Sequence, residues 1–235
     1  GTESGLLILN PKKDVFEPFF TKQNCKNENL LKPLRVKDVI EDRKGNLWIG
    51  TNQGIFKYNL ITQNVSTYVH YQSNPHTISS NEINVIYENK SGDIWVGTSS
   101  GLSKYNEKTN DFTRYGTLTK QKRSLSNQTI FSLLEDENGI LWIGTDAGLN
   151  KYNTKTDTFA CINERNGLPN DQILCMLKEG SNLWLSTNKG VVRYSTNTGK
   201  MRAYNLNDGL QGFEFNPNSG CISPRGELFF GGGNG

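Results

Sequence analysis

Gly45-Asn46-Leu47-Trp48-Ile49-Gly50-Thr51 returns as Gly92-Asp93-Ile94-Trp95-Val96-Gly97-Thr98, and again as Gly139-Ile140-Leu141-Trp142-Ile143-Gly144-Thr145. A weaker copy is Ser181-Asn182-Leu183-Trp184-Leu185-Ser186-Thr187, and a fifth is Gly226-Glu227-Leu228-Phe229-Phe230-Gly231-Gly232, with Phe229 in the tryptophan slot. The aromatic anchors Trp48, Trp95, Trp142, Trp184 and Phe229 are spaced by 47, 47, 42 and 45 residues. A fixed period of this length is the mark of a repeat architecture and outranks any single motif.

Each copy continues in register. Three residues after the threonine stands Gly54, Gly101, Gly148 or Gly190, and a short apolar run then ends at Tyr58, Tyr105, Tyr152 or Tyr194. Thr62, Thr109, Thr156 and Thr198 follow, then Val65, Phe112, Phe159 and Met201. The N-terminus joins the frame through Gly1-Thr2-Glu3-Ser4-Gly5, with Leu9, Phe16 and Phe19 in the later slots. Five repeat lengths are present. Each unit reads as four strands. The first is short and apolar (Val36 to Glu41, Ile83 to Glu88, Ile130 to Glu135), and a turn with glycine in the left-handed position leads to the tryptophan strand. The third strand ends in tyrosine and the fourth passes through Val65 or Phe112. Four short antiparallel strands per forty-odd residues predict an all-β fold, a β-propeller of four-stranded antiparallel blades, as a single region over 1–235. The tryptophan is expected to fill the gap between blades. Its burial hides roughly 150–250 Å², which at about 25 cal/mol per Å² gives an upper bound of about 4–6 kcal/mol. Packing alone therefore accounts for a Trp in every unit.

Composition agrees. The 235 residues carry 26 basic and 23 acidic side chains, a net +3, without the basic stripe expected of a nucleic-acid binder. The 24 Gly and 29 Asn suit turns rather than helices, and the aromatic content of 10% excludes a disordered chain. No apolar run is long enough to span a bilayer. Nothing reads as a signal peptide, linker or kinase segment, so the chain is expected to be a soluble domain taken from something longer. Cys25, Cys161, Cys175 and Cys221 form no CxxC pair, and His70 and His76 are the two histidines. No metal site assembles from such spacing, and the cysteines read as isolated thiols in or beside strands. No cofactor is expected.

Glu41 to Asn59, read as E-D-x-x-G-N-L-W-I-G-T-x-x-G-I-x-K-Y-N, resembles the two-component regulator propeller repeat, and the resemblance extends over essentially the whole chain. Asp208 to Asn216 with Gly226 to Gly233 resembles the last repeats of such a propeller. The resemblance implies the periplasmic sensor region of a hybrid two-component system of the kind found in gut Bacteroidetes. The parent would be anchored in the inner membrane, homodimeric, and would signal to a histidine kinase outside this chain. It implies a glycan-derived oligosaccharide as ligand and no catalytic residue in this segment. Propellers of that family usually have seven blades. Five repeats leave such a ring open, whereas pairing the end segments as one blade would close a ring of five. A propeller-fold lyase and a purely structural blade array are the alternatives.

Motifs that suggest catalysis dissolve into the repeat. Gly97-Thr98-Ser99-Ser100-Gly101 matches G-x-S-x-G, yet the same slot reads Gly-Thr-Asn-Gln-Gly and Gly-Thr-Asp-Ala-Gly elsewhere, with no strand-to-helix context for a nucleophile. Gly231 to Gly235 lacks the helix a phosphate cradle needs. Glu41-Asp42, Glu88 and Glu135-Asp136 recur at one turn, where Asp bonds the local backbone.

Variation is concentrated in the loops near 20–33, 69–80, 116–128, 163–172 and 205–219 and in the short second-to-third-strand turns. In a propeller these share one face, and variable loops on a rigid scaffold carry binding. His70, Tyr71, His76, Lys122, Arg123, Asp146, Arg165, Asn166, Asp171 and Lys189 are the candidate ligand contacts. Polar groups beside exposed aromatics suit sugar hydroxyls and an apolar ring face. Lys122 and Arg123, in a short basic run, suit an acidic or sulfated glycan.

Overall fold

The computed structural model describes residues 1–21, 25, 30, 33–115 and 124–233. A first hairpin, β1 (Leu7–Asn10) and β2 (Val15–Pro18), precedes four complete blades. Blade 1 is β3 (Val36–Glu41), β4 (Asn46–Thr51), β5 (Gly54–Asn59) and β6 (Val65–Tyr68). Blade 2 is β7 (Ile83–Glu88), β8 (Ile94–Thr98), β9 (Gly101–Asn106) and β10 (Asp111–Tyr115). Blade 3 is β11 (Ile130–Glu135), β12 (Ile140–Thr145), β13 (Gly148–Asn153) and β14 (Thr158–Ile162). Blade 4 is β15 (Cys175–Glu179), β16 (Asn182–Thr187), β17 (Gly190–Ser195) and β18 (Met201–Tyr204). A last pair, β19 (Phe215–Ile222) and β20 (Leu228–Gly232), takes the first two strand positions of a further unit. All pairings are antiparallel. The end pairs stand as separate two-stranded sheets rather than as one blade. Among the described residues no helix is long and apolar enough to cross a membrane.

The first strands of successive units lie side by side, β3 on β7, β7 on β11, β11 on β15 and β15 on β19, so they line the axis. The Gly-Thr turn is the stitch between blades. Thr51, Thr98, Thr145 and Thr187 each donate Oγ1–H to the carbonyl of the glycine three residues on, at 2.8–2.9 Å. Thr2 does the same to Gly5 at 2.9 Å, which places the N-terminus in the repeat frame. The turn glycine then donates its N–H to the loop ahead of the next blade: Gly54 to Asn81, Gly148 to Asp171, Gly190 to Phe213. Loops and short turns therefore do share one face, as the repeat predicts.

The preceding glycine is a matter of close approach. A Cβ on Gly97 would lie 2.5 Å from Ile130 Cγ2 and 2.6 Å from Val85 Cγ1. Blade 4 carries Ser186 there instead. Its neighbour β19 does not run straight: Phe215 pairs with Gly232 but Gly220 pairs with Phe230, so the intervening residues arch away from the sheet. Ser186 is fully buried at this position.

Between blades lie the aromatic cores. Trp48, Trp95 and Trp142 are each 1% exposed. Trp48 stacks on Tyr68 and meets Tyr105 edge-on at 4.9 Å. Directly across the strand from each tryptophan stands a cation: Lys57, Lys104, Lys151 and Arg193, at 5.0, 5.5, 5.8 and 5.8 Å from the ring. This cross-strand cation–π pair explains the basic residue of the G-I-x-K-Y segment. On the turn face, Arg43 donates to the carbonyls of Lys90 (2.7 Å) and Asn89 (3.2 Å), and Lys90 Nζ donates to that of Asp136 (2.8 Å), so the turns of blades 1 and 2 each strap the next blade.

Asp42 Oδ2 accepts from Trp48 Nε1 at 2.7 Å, and Asp136 Oδ2 from Trp142 Nε1 at 2.8 Å. Blade 2 breaks this rule. Asn89 fills the aspartate slot, and the buried Trp95 Nε1 has no acceptor. Blade 1 pairs Asp42 with Asn46, whereas blade 2 pairs Asn89 with Asp93, the reverse order. The double exchange N89D/D93N restores the blade 1 arrangement. It gives Trp95 an acceptor, worth about 1 kcal/mol net, against the few tenths lost with the half-exposed Lys104–Asp93 pair. We expect a higher urea midpoint for the double variant. An unchanged or lower midpoint contradicts this account of Trp95.

Cys161, Cys175 and Cys221 are thiols, and burial pushes Cys175 up to about 11, in keeping with an inert residue on an inner strand.

Candidate functional site

The sequence candidates fall into two groups on the loop face. The first is the 69–80 loop between β6 and β7. Arg114, at the end of β10, is its anchor: Nε donates to the Thr77 carbonyl at 2.7 Å, and Nη2 to the carbonyls of Asn74 (2.8 Å) and Tyr71 (3.1 Å). His70 is built into the same network. Its backbone N–H donates to Asn81 Oδ1 at 2.6 Å, and its Nδ1 lies 2.8 Å from the Ile78 carbonyl and 3.2 Å from Arg114 Nη2. Its Nε2 faces Gln72 Oε1 at 3.3 Å. His70 is thus a loop-shaping residue. Tyr71 is 58% exposed and presents its ring outward. His76 is exposed, with Nδ1 3.8 Å from Asp111 Oδ2. Replacing Arg114 by alanine is expected to cost about 1–3 kcal/mol and to speed amide exchange across 70–78. Lysine should not restore protection, because it lacks the planar fork. Unchanged exchange in Arg114→Ala contradicts this.

The second group belongs to blades 3 and 4. Asp146 Oδ1 accepts from Gln172 Nε2 at 2.6 Å, and Gln172 Oε1 accepts from Asn188 Nδ2. Asp171 Oδ1 accepts from the Glu164 N–H at 2.6 Å, and Glu164 reaches Lys189 Nζ at 3.7 Å. Two short chains result, Asp146–Gln172–Asn188 and Asp171–Glu164–Lys189, and Gln172, Asn188 and Glu164 are the members that sequence reasoning missed. Asn166 is tied into its own turn. With Asn163 it forms a capping box around the single helical turn Glu164–Asn166, closed by Gly167 at φ 101°. The same device recurs over Asn205, Leu206–Asp208 and Gly209. The paired N-x-x-[ND]-G-L text was its signal. Arg165 projects from that turn into solvent. Lys122 and Arg123 lie outside the described residues.

Where the axis opens on this face, a cavity of about 360 Å³ is lined by Glu3, Arg35, Lys37, Asn84, Phe131 and Asn218, among others. None of these was a sequence candidate, though a signal existed. The inner strands of blades 1 to 3 each slip register once, between Val36 and Asp38, Ile83 and Val85, Ile130 and Ser132. The unpaired residues are Lys37, Asn84 and Phe131, equivalent positions with three different chemistries. A bulge re-aims its extra side chain. Lys37 Nζ donates to Asn84 Oδ1 at 3.1 Å, and Asn84 Nδ2 to the Ile130 carbonyl at 3.0 Å, so the chain of bonds crosses three blades. Lys37 pairs with Glu82 at 2.5 Å and Arg35 Nε with Glu3 at 2.8 Å. From the far end, the arch of β19 brings Asn218, in the left-handed conformation at φ 53°, to the side chain of Asp38. Asp38 Oδ2 also accepts the Ile86 N–H at 2.7 Å and Oδ1 that of Val39 at 2.9 Å. Loss of water raises the Asp38 carboxyl above its ordinary value, outweighing these bonds. Among the described residues no group of three His, Cys, Asp or Glu is placed to hold a metal ion.

No curated protein matches the chain. Among solved structures, the extracellular domain of a hybrid two component system from B. thetaiotaomicron superposes with a TM-score of 0.81 at 24% identity, covering 100% of this chain and 30% of its own. PorZ, a surface component of the type-IX secretion system of Porphyromonas gingivalis, gives 0.73 at 19%, covering 100% of this chain and 36% of its own. Virginiamycin B lyase from Staphylococcus aureus gives 0.62 at 15%, covering 84% of this chain and 63% of its own. This chain spans about a third of the first two, and at these identities the likeness is one of fold. The family described as "Two component regulator propeller" matches at residues 31–53, 77–100 and 124–147. Each match runs from an inter-blade loop through the first two strands to the threonine turn, the parts whose bonds stitch one blade to the next, so the chain is similar to that family in these three segments.

Proposed function

We propose that this chain is the ligand-recognition part of an extracytoplasmic sensor of hybrid two-component type. It binds a glycan-derived oligosaccharide on its loop face and passes that event to a histidine kinase outside this chain, in a dimeric parent anchored in the inner membrane. The repeat family supports the sensor role. The axial cavity supports ligand binding: a concave site of about 360 Å³ with one aromatic wall and several convergent polar groups, within the usual size range of small-molecule pockets. Signalling then requires the ligand to favour one arrangement of the parent over another.

Calorimetric titration against neutral and acidic oligosaccharides of graded length, with chromatography of the recovered sugar, tests this reading. Saturable binding with the sugar recovered intact is the expected result. Conversion of the sugar contradicts it and favours a lyase on the same fold. A panel without any heat of binding contradicts it too.

A further inference from the structure

We propose that the axial cavity takes a neutral saccharide, its ring on Phe131 and its hydroxyls on the Arg35, Lys37 and Asn84 side of the wall. The inference rests on the sensor reading and adds the ligand class. It reverses the emphasis that the basic run at Lys122 and Arg123 gives to acidic glycans.

Both cations at the cavity carry their own counter-ion, Arg35 with Glu3 and Lys37 with Glu82. Asp38 stands behind Asn218 with a further carboxyl. No unbalanced positive charge remains to repay the dehydration of a uronate or sulfate. An anion would also compete with Glu3 and Glu82 for the same N–H groups.

Hydrogen-bond capacity points the same way. Lys37 spends two of its three protons on Glu82 and Asn84, and Asn84 Nδ2 spends one of its two on the Ile130 carbonyl. The Arg35 guanidinium has five N–H groups, and its Nε lies on Glu3. Free donors thus stand beside carboxylate oxygens with spare lone pairs. A hydroxyl donates and accepts at once and satisfies both, whereas an acid satisfies only the donors. The shape of the cavity agrees. Phe131 is half-buried and lines the opening, and it is the aromatic among the three re-aimed bulge residues. A pyranose presents an apolar C–H face to such a ring and polar edges to the rest.

The test titrates the full chain with neutral disaccharides (maltose, cellobiose, xylobiose, mannobiose) and with digalacturonate, by ligand-observed NMR at low and high salt. Phe131→Ala, Phe131→Tyr and Tyr71→Ala are run in parallel. We expect at least one neutral disaccharide to bind, with little salt dependence. Phe131→Ala should weaken it about tenfold, as loss of a ring contact does, while Phe131→Tyr and Tyr71→Ala leave it near wild type. Binding of digalacturonate alone, weakened by salt, overturns the ligand class and leaves the sensor reading standing. So does neutral-sugar binding indifferent to Phe131→Ala, which moves the site elsewhere. Absence of binding to every saccharide overturns both.

Discussion

Trp48→Ala is expected to cost about 3–5 kcal/mol of folding stability. The side chain is 1% exposed and sits where blade 1 meets blade 2. It touches Tyr68 and Tyr105, carries the Lys57 ammonium 5.0 Å from its ring, and donates Nε1–H to Asp42. Alanine removes all of this and leaves a cavity that rigid strands on both sides cannot close. Ile83, Ile86 and Phe112 line the same core. In a blade array each unit contacts its neighbours, so the loss falls on one interface and propagates through the cooperative unit. Urea unfolding followed by tryptophan fluorescence and by circular dichroism checks the size and the cooperativity together. Trp184→Ala is the internal comparison. Trp184 is half-buried and bonds Glu179, so its loss should cost clearly less. Equal losses at the two positions contradict the account of the tryptophan as inter-blade filler.

Asp42→Ala is expected to cost about 2–4 kcal/mol, the scale of a buried hydrogen-bond network left without its acceptor. The carboxylate accepts from the backbone N–H groups of Lys44 and Asn46 at 2.9 Å each, from Asn46 Nδ2, and from Trp48 Nε1 at 2.7 Å. Asp42→Asn keeps the backbone bonds but turns an N–H₂ toward Trp48, which is the state blade 2 already tolerates at Asn89. It should cost less than the alanine change. Burial pushes the Asp42 carboxyl up, but the bonds from Trp48, Asn46 and Lys44 outweigh it, and the net shift is downward. A carboxyl with a lowered value in the folded state contributes stability above the ordinary aspartate range of about 4. That contribution is lost as pH falls through the folded value. Wild type should therefore lose stability more steeply on acidification below about pH 4 than Asp42→Asn does. Parallel acid profiles for the two proteins contradict this role of Asp42.

Much of this scaffold was readable in the text of the chain, because the features that build a blade are local. The first strands, the left-handed turn glycines at φ 75°, 84° and 76° (Gly45, Gly92, Gly139), and the aspartate that bonds its own turn all depend on residues a few positions apart. The Thr2–Gly5 bond was equally local. What escaped depends on register between strands. Lys57 faces Trp48 because they are cross-strand partners, and this pairing becomes visible only once the strands are aligned. Lys37, Asn84 and Phe131 were overlooked because a period-two reading assigns them no common face, while the bulge gives them one. In the loops the sequence shows which residues are polar but not which bonds they make: His70 and Asn166 hold their own loops. Tyr71 and His76 do remain presented to solvent.

We propose ligand recognition on the loop face, at the opening of the axis. A crystal structure of the full chain soaked with a neutral disaccharide that binds in solution tests this most directly. The predicted result is a sugar ring against Phe131, with hydroxyls on Arg35, Lys37 or Asn84. A sugar seated instead on the opposite face, in the cleft of about 180 Å³ between blades 1 and 2 lined by Lys44, Trp48, Lys57 and Glu107, would contradict it.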